Sequence, residues 1–238
     1  MPFDDKVVLV AGGTGALGRE VAMAFLEAGA RVAVTYQRAE EFAAFTAAAE
    51  RTGTQAPEGA SLDVTDLAAT ESYVTQLATR HGRLDILVNA VGGYAGGKNV
   101  WDSSAADYDK MMALNFKSGF GLTHAVVPVM IRQNRGWIVN VASKAAYGHS
   151  PGAALYAASK AAALVLIESL AEEVKAYNVN VNSIVPSIFD TAANRKEMPK
   201  ADFSKWPKPE QIARVVLFLC SEDSRLINGA AIPVYGRS

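Results

Sequence analysis

Short β-branched runs alternate with helical stretches of ten or more residues along nearly the whole chain, and few folds can absorb that pattern. "KVVLVAGG" leads into "REVAMAFLEAG", "RVAVTY" into "AEEFAAFTAAAERTG", and "ASLDV" into "LAATESYVTQLATRHG". "LDILVNAVGG", "GWIVNVAS", "VNVNSIVPS" and "AAIPVYG" follow, with helical segments between them. A strand that returns through a helix to a parallel neighbour makes a right-handed crossover, so the pattern predicts an α/β fold built on one doubly wound parallel sheet flanked by helices. The runs are continuously apolar, as strands covered on both faces require. At 238 residues the chain is long enough to bury most of its apolar surface. No Pro/Ser-rich linker or repeat divides it, so residues 1–238 read as a single domain. Only residues 190–209, "DTAANRKEMPKADFSKWPKP", lose periodicity; they read as a mobile substrate loop or as a solvated connector.

Charge and cysteine usage exclude several classes of function. Lys plus Arg (23) nearly balance Asp plus Glu (24), without the single-sign run that nucleic acid or an anionic membrane attracts. A small neutral or weakly charged ligand suits this balance better. The lone cysteine, Cys220 in "VVLFLCSE", reads as a buried small hydrophobe, which excludes disulfide scaffolds and Cys-based metal sites. His81, His124 and His149 have no spaced partners, so no metal site is expected; His149, beside "SPG", either touches substrate or is an ordinary loop residue. The chain runs from "MPFDDK" straight into a strand with no signal-peptide pattern, and no apolar run is long enough to span a bilayer. A cytoplasmic location is expected.

Directly after the first strand stands "AGGTGALGRE", with glycines at 12, 13, 15 and 18 and a helix expected to open at Arg19. A strand, a glycine turn and a helix N-terminus let backbone N–H groups approach a pyrophosphate while the helix dipole favours its charge, the Rossmann-like form of the predicted sheet. Gly12, Thr14, Gly15, Ala16, Leu17 and Gly18 are therefore candidate cofactor contacts. Asp63 and Val64 in "SLDV", and Asn89 and Gly92 in "LVNAVGG", fall where later strand ends meet the same crevice; Asp63 reads equally well as a loop cap. An NAD-type site wants a carboxylate at the end of the second strand, an NADP-type site a cation for the 2′-phosphate. Tyr36 stands about where the acid would be and Arg38 follows. The reading is NADP(H) favoured over NAD(H), with Arg38 and Arg19 near the phosphate and Glu40 and Glu41 weighing the other way.

The stretch "ALYAASKAAALVLIESLAEEV", residues 154–174, is a helix of small and apolar residues interrupted by Tyr156 and Lys160. Residues i and i+4 share a face, so the ammonium is expected near the phenol or near a ribose held between them. Moving a tyrosine pKa from about 10 to about 7 requires roughly 4 kcal/mol, which one unit charge about 4 Å away at an effective dielectric near 20 supplies. A phenol so tuned can give a proton to a forming alkoxide, or take one in reverse.

These segments, with "ALNF" (Asn115), "NVASKAA" (Ser143, thirteen residues before Tyr156), "YAASK" and "IVPSIFDT", occur in the order and spacing of the short-chain dehydrogenase/reductase family, which the chain resembles from Lys6 to about Gly236. The family's T-G-x3-G-x-G falls on Ala11, Gly12, Ala16 and Gly18, with Gly15 giving a G-x-x-G-x-x-G version. Its N-N-A-G falls on Asn89 to Gly92, and its P-G-x-[VI]-x-T on Pro186, Ser187, Ile188, Phe189, Asp190 and Thr191, with the glycine lost. The resemblance implies hydride transfer between a nicotinamide and a carbonyl or alcohol carbon, as in 3-oxoacyl or other ketone reductases. Ser143 would hold the oxygen, Tyr156 would donate the proton, and Lys160 would lower its pKa and bind the ribose. Asn115 would fix a local helix distortion, and Pro186, Phe189 and Thr191 would border the cofactor. It also implies a homodimer or homotetramer formed through the helices holding Asn115 and Tyr156. "GGTGALG", "VGGYAGG" and the 190–209 segment resemble dihydropteridine reductases as well, but those generally lack the serine, so carbonyl reduction is favoured. A catalytically silent nucleotide-binding regulator is the alternative of another class. Tyr94, Trp101 and Tyr147 either line a substrate pocket or serve packing, and Phe203 with Trp206 would close over substrate.

Overall fold

The structure, a computed structural model, describes residues 3–237. Valine- and isoleucine-rich runs form the strands β1 (Val7–Ala11), β2 (Arg31–Tyr36), β3 (Glu58–Ser61), β4 (Ile86–Asn89), β5 (Gly136–Val141), β6 (Val179–Pro186) and β7 (Ala231–Val234). All pair in parallel, in the order β3-β2-β1-β4-β5-β6-β7. The connections are carried by α1 (Ala16–Glu27), α2 (Ala39–Arg51), α3 (Leu67–His81), α4 (Ala105–Met112), α5 (Ser118–Gln133), α6 (Ala154–Val174), α7 (Ala192–Glu197) and α8 (Pro209–Leu219). Strand order reverses between β1 and β4, which opens a crevice at the carboxyl ends of those two strands.

Side-chain alternation along β1 feeds two cores. Val8 and Val10 pack with Val21, Phe25, Phe45 and Val216 under α1, α2 and α8. Leu9 and Ala11 pack on the other face with Val74, Leu122, Val126 and Ile167 under α3, α5 and α6. Burial on both faces explains the uninterrupted apolar run of β1, whereas β6, equally buried, carries Asn180, Asn182 and Ser183 within it.

Three sequence expectations need adjustment. The third strand sits earlier than "ASLDV", at Glu58–Ser61, and alternates between half-buried and exposed because it forms the sheet edge. It is held there by Gly59, where a Cβ would come 2.2 Å from the Phe42 ring. Residues 190–209 contain α7 and a 3-10 turn at Phe203–Lys205. Residues 154–177, which cover α6 and the turn after it, are long and apolar enough to cross a membrane by length and composition, contrary to the reading from apolar runs. Packing decides its role, since Ala163, Leu164, Ile167, Leu170 and Ala171 are buried and the helix lies along β6.

At the opposite end of the sheet from the crevice, buried Asp85 accepts from the Val7 N–H at 2.9 Å and from Arg83 Nε at 2.7 Å, fastening the start of β1 to β4. Asp85→Ala leaves a buried N–H without its acceptor. It should lower stability by about 2 kcal/mol, read as a shift in the urea midpoint, with the nucleotide crevice intact.

Candidate active site

Beyond Ala11 the chain turns at Gly12, whose φ of +73° suits glycine. The Gly12 N–H donates to Thr35 Oγ1 at 3.0 Å and the Gly13 N–H to the Thr35 carbonyl at 3.1 Å, so the turn lies against β2. A Cβ on Gly18 would stand 2.2 Å from the Gly12 carbonyl oxygen; without one, α1 starts close beneath the strand. It opens at Ala16, three residues before the expected Arg19, because Gly15 caps it without a side chain. Gly15 and Ala16 are exposed, and the first turn carries no acid. Uncapped first-turn N–H groups at a positive helix end are a pyrophosphate cradle. The residues present fit a dinucleotide.

The cradle connects directly to the opening turns of α6. A Cβ on Gly12 would lie 3.2 Å from the backbone of Ala90 and Val91. Next along the chain is Gly92, where a Cβ would come 2.7 Å from Lys160 Nζ and 2.9 Å from Asn115 Oδ1. Asn115 sits in a π-helical turn, Ala113–Lys117, between α4 and α5. Its Oδ1 accepts from the Gly93 N–H at 3.0 Å, and its Nδ2 donates to the Gly93 carbonyl at 3.0 Å and to Ser159 Oγ at 3.1 Å. The Ser159 hydroxyl donates in turn to the Tyr156 carbonyl at 2.8 Å.

Ser143 follows β5 and caps a 3-10 turn at Lys144–Ala146, its Oγ accepting from the Ala145 N–H at 3.2 Å. Its hydroxyl lies near enough to Tyr156 to act on the phenol. The Tyr94 ring meets the Tyr156 ring edge-on, with centroids 5.1 Å apart at 82°. Burial raises the Tyr156 phenol above its ordinary value, the Ser143 hydroxyl pulls it back, and Tyr94 adds to the rise. Lys160, 5% exposed, donates from Nζ to the Val141 carbonyl at 3.0 Å, and burial lowers it to about 8. One N–H of the ammonium goes to a main-chain acceptor at the end of β5, leaving two for a ribose or the phenol, and burial disfavours the charged form of both groups.

The remaining predicted residues fall into distinct environments. Tyr36 ends β2 stacked on Phe42 at 4.7 Å. Arg38, exposed at the N-cap of α2, is ion-paired with Glu41, whose other oxygen accepts from Thr14 Oγ1 at 3.2 Å. Arg19 is half-buried on α1. Asp63 accepts from the Thr65 N–H at 2.9 Å and hydroxyl at 2.7 Å, which holds its carboxyl below its ordinary value and makes it a loop cap; Val64 is buried. Asn89 is buried, accepting from the Val91 N–H at 3.2 Å and donating to Asn140 Oδ1 at 3.0 Å, so its side chain shapes the turn before Gly92. Pro186 closes β6, Phe189 packs against the core, and Thr191 caps α7 by accepting from the Asn194 N–H at 3.1 Å. Ser187, in place of the family glycine, donates to the Tyr235 carbonyl at 3.1 Å.

Trp206 is buried and packs on Phe203 with centroids 5.0 Å apart, so it anchors its segment. Trp101, Tyr147 and His149 are exposed. His81 pairs with Glu58 at 2.6 Å, and His124 stacks on Phe120. Burial pushes the Cys220 thiol well up. Among the described residues no group of His, Cys, Asp and Glu could hold a metal ion. Thr35 and Ser159 escape the sequence reading. Ser159 leaves one signal, a hydroxyl three residues after Tyr156 in an otherwise alanine-rich stretch.

Lys160 binds its proton less tightly folded, at about 8, than at its ordinary 10.5. The unfolded chain therefore holds the extra proton between those values, and this group's contribution to stability grows as pH rises through that window. In urea unfolding without nucleotide, the stability of wild type relative to Lys160→Met should increase by roughly 2 kcal/mol between pH 7.5 and pH 10.

The sequence model of the family described as short chain dehydrogenase matches residues 6–202. The 3-oxoacyl-[acyl-carrier-protein] reductase FabG of Thermotoga maritima is 31% identical over 244 residues, covering 99% of this chain and 98% of the relative. Among solved structures, NAD+-bound xylitol dehydrogenase superposes with a TM-score of 0.91 at 26% identity, covering 99% of this chain and 100% of its own. ElxO with NADP bound superposes at 0.88 and 25% identity, covering 97% of each chain. A match that spans most of the chain in sequence, and nearly all of it in structure, makes this protein a member of the short-chain dehydrogenase family, an oxidoreductase working between alcohols and carbonyl compounds.

Proposed function

We propose that this protein reduces a ketone or aldehyde to its alcohol, and catalyses the reverse, with NADP(H) preferred over NAD(H). The observation that carries the reading is the junction at Gly92, where a Cβ would meet both Lys160 Nζ and Asn115 Oδ1 on the loop that Gly12 touches, with Tyr156 one helical turn before Lys160. Two hydroxyls, those of Ser143 and Tyr156, beside that junction suit a single oxygen that gains negative charge. The nicotinamide, when bound, supplies the hydride. Ser143 holds and polarises the carbonyl oxygen, and Tyr156 gives it a proton. A phenol held above its ordinary value is fully protonated at neutral pH, the form that reduction consumes. Lys160, still mostly charged at neutral pH with a value of about 8, would hold the nicotinamide ribose and steady Tyr156. Asn115 positions Gly93 and α6 around them.

The turn from Gly12 to Gly18 would take the pyrophosphate. Asp63, Val64, Asn89 and Gly92 would border the adenine side and the ribose, and Pro186, Phe189 and Thr191 the nicotinamide end. Arg38, with Tyr36 where an acid would stand, supports a 2′-phosphate; the solved relatives are bound to either nucleotide. The name of the Thermotoga relative supports a 3-oxoacyl or related ketone. The proposal includes one nucleotide-binding domain, a cytoplasmic location and a homodimer or homotetramer. Members of the family typically oligomerise, and Tyr108, Phe120 and Val165 expose apolar surface on α4, α5 and α6.

Tyr156→Phe should lower kcat by about a hundredfold or more while the nucleotide Kd, from fluorescence titration, stays near wild type. Ser143→Ala should lose ketone reduction to a similar degree; near-normal turnover of a quinonoid dihydropteridine would move the assignment to pteridine reduction. In steady-state kinetics NADPH should outperform NADH, and a preference for NADH above about tenfold would overturn that part. Inactivity across carbonyl, quinone and pteridine substrates despite tight nucleotide binding would identify a silent regulator.

A further inference from the structure

One carboxylate spans the gap between the glycine turn and the cation assigned to the nucleotide phosphate. Glu41, half-buried in the first turn of α2, accepts from Thr14 Oγ1 at 3.2 Å through Oε2 and is ion-paired with Arg38 through Oε1. Thr14 lies inside the glycine turn and Arg38 caps α2, so both oxygens of Glu41 face the mouth where the adenosine ribose would lie. Tyr36 cannot serve as the acid that an NAD-type site draws from the end of β2, and its ring is stacked on Phe42. The helix supplies the acid that the strand lacks.

We propose that Glu41 is a specificity-determining residue that opposes 2′-phosphorylated nucleotides and favours the unphosphorylated ribose. The inference deepens the proposed function and rests on its assignment of the glycine turn and Arg38 to the nucleotide. A ribose diol is uncharged and donates, so it can bond to Glu41 without disturbing the Arg38 pair. A 2′-phosphate must draw Arg38 away from Glu41 and then sit beside an uncompensated carboxylate. Arg38 and Glu41 thus pull in opposite directions at one position, and the NADP(H) preference that Arg38 confers is smaller than an arginine alone would give.

The test is calorimetric titration of the nucleotide-free protein with two probes lacking nicotinamide, adenosine 2′,5′-bisphosphate and 5′-AMP. Glu41→Gln preserves size and an acceptor for Thr14 while removing the charge. It should tighten the bisphosphate by about fivefold, the scale of a largely exposed charge pair, and leave 5′-AMP unchanged or weaker. Glu40→Gln removes a charge from the same helical turn and should change the ratio of the two affinities by less than about twofold. Equal shifts for both probes in Glu41→Gln, no tightening of the bisphosphate, or an equal effect from Glu40→Gln would each overturn the role of Glu41. Failure of the underlying reading looks different: Arg38→Gln would leave bisphosphate affinity untouched, or wild type would bind neither probe.

Discussion

The site depends on one buried carboxamide. Asn115 bonds both the N–H and the carbonyl of Gly93 and reaches Ser159 on α6, so one side chain ties the loop after β4, the π turn and the catalytic helix together. The bond to Ser159 is buried and the two to Gly93 are partly buried, where an unmet partner is costly. The π turn follows from this demand, since an extra residue in the helical circuit turns the Asn115 side chain inward. Gly92 follows too, because a side chain there would collide with both Lys160 and Asn115. The placement of Tyr156 and Lys160 against the loop after β4 is therefore set by packing between elements far apart in sequence.

Burial sets the chemical state of the site. Tyr156 is withdrawn from water against Tyr94 and stays neutral, while Lys160 is withdrawn against the Val141 carbonyl and holds its proton loosely. Both shifts oppose charge, so Tyr156 is neutral at neutral pH while Lys160 keeps a loosely held proton. A pocket of that kind suits a neutral carbonyl, in line with the near balance of acids and bases over the chain. A second charged group stands at the other end of the crevice, where the Arg38–Glu41 pair lies beside Thr14 of the glycine turn.

Local rules succeed where a residue answers to its immediate neighbours. The buried strands β1, β4 and β5 are visible as runs rich in Val, Ile and Leu because both faces of each are covered, whereas β3 is displaced because an edge strand needs no such run and Gly59 is placed by the Phe42 ring. The helix expected to open at Arg19 starts at Ala16, since glycine caps by geometry rather than by a side-chain signal. Asp63 turned to its own loop through Thr65, and Asn89 to Asn140 across two strands. Both are contacts that no spacing rule distinguishes from ligand binding.

Alternation of apolar runs and helices, the glycines after β1 and the four-residue step from Tyr156 to Lys160 are local and periodic, so the chain by itself determined a doubly wound sheet, a glycine turn between β1 and α1 and the face of α6 that Tyr156 and Lys160 share. Tertiary structure alone decided what those groups touch. It turned the Lys160 ammonium to the Val141 carbonyl, tied Asn115 to Gly93 and Ser159, and set Glu41 between Thr14 and Arg38. Hydrogen bonds and desolvation depend on distances of a few ångströms between segments tens of residues apart, and only the packed chain fixes those distances.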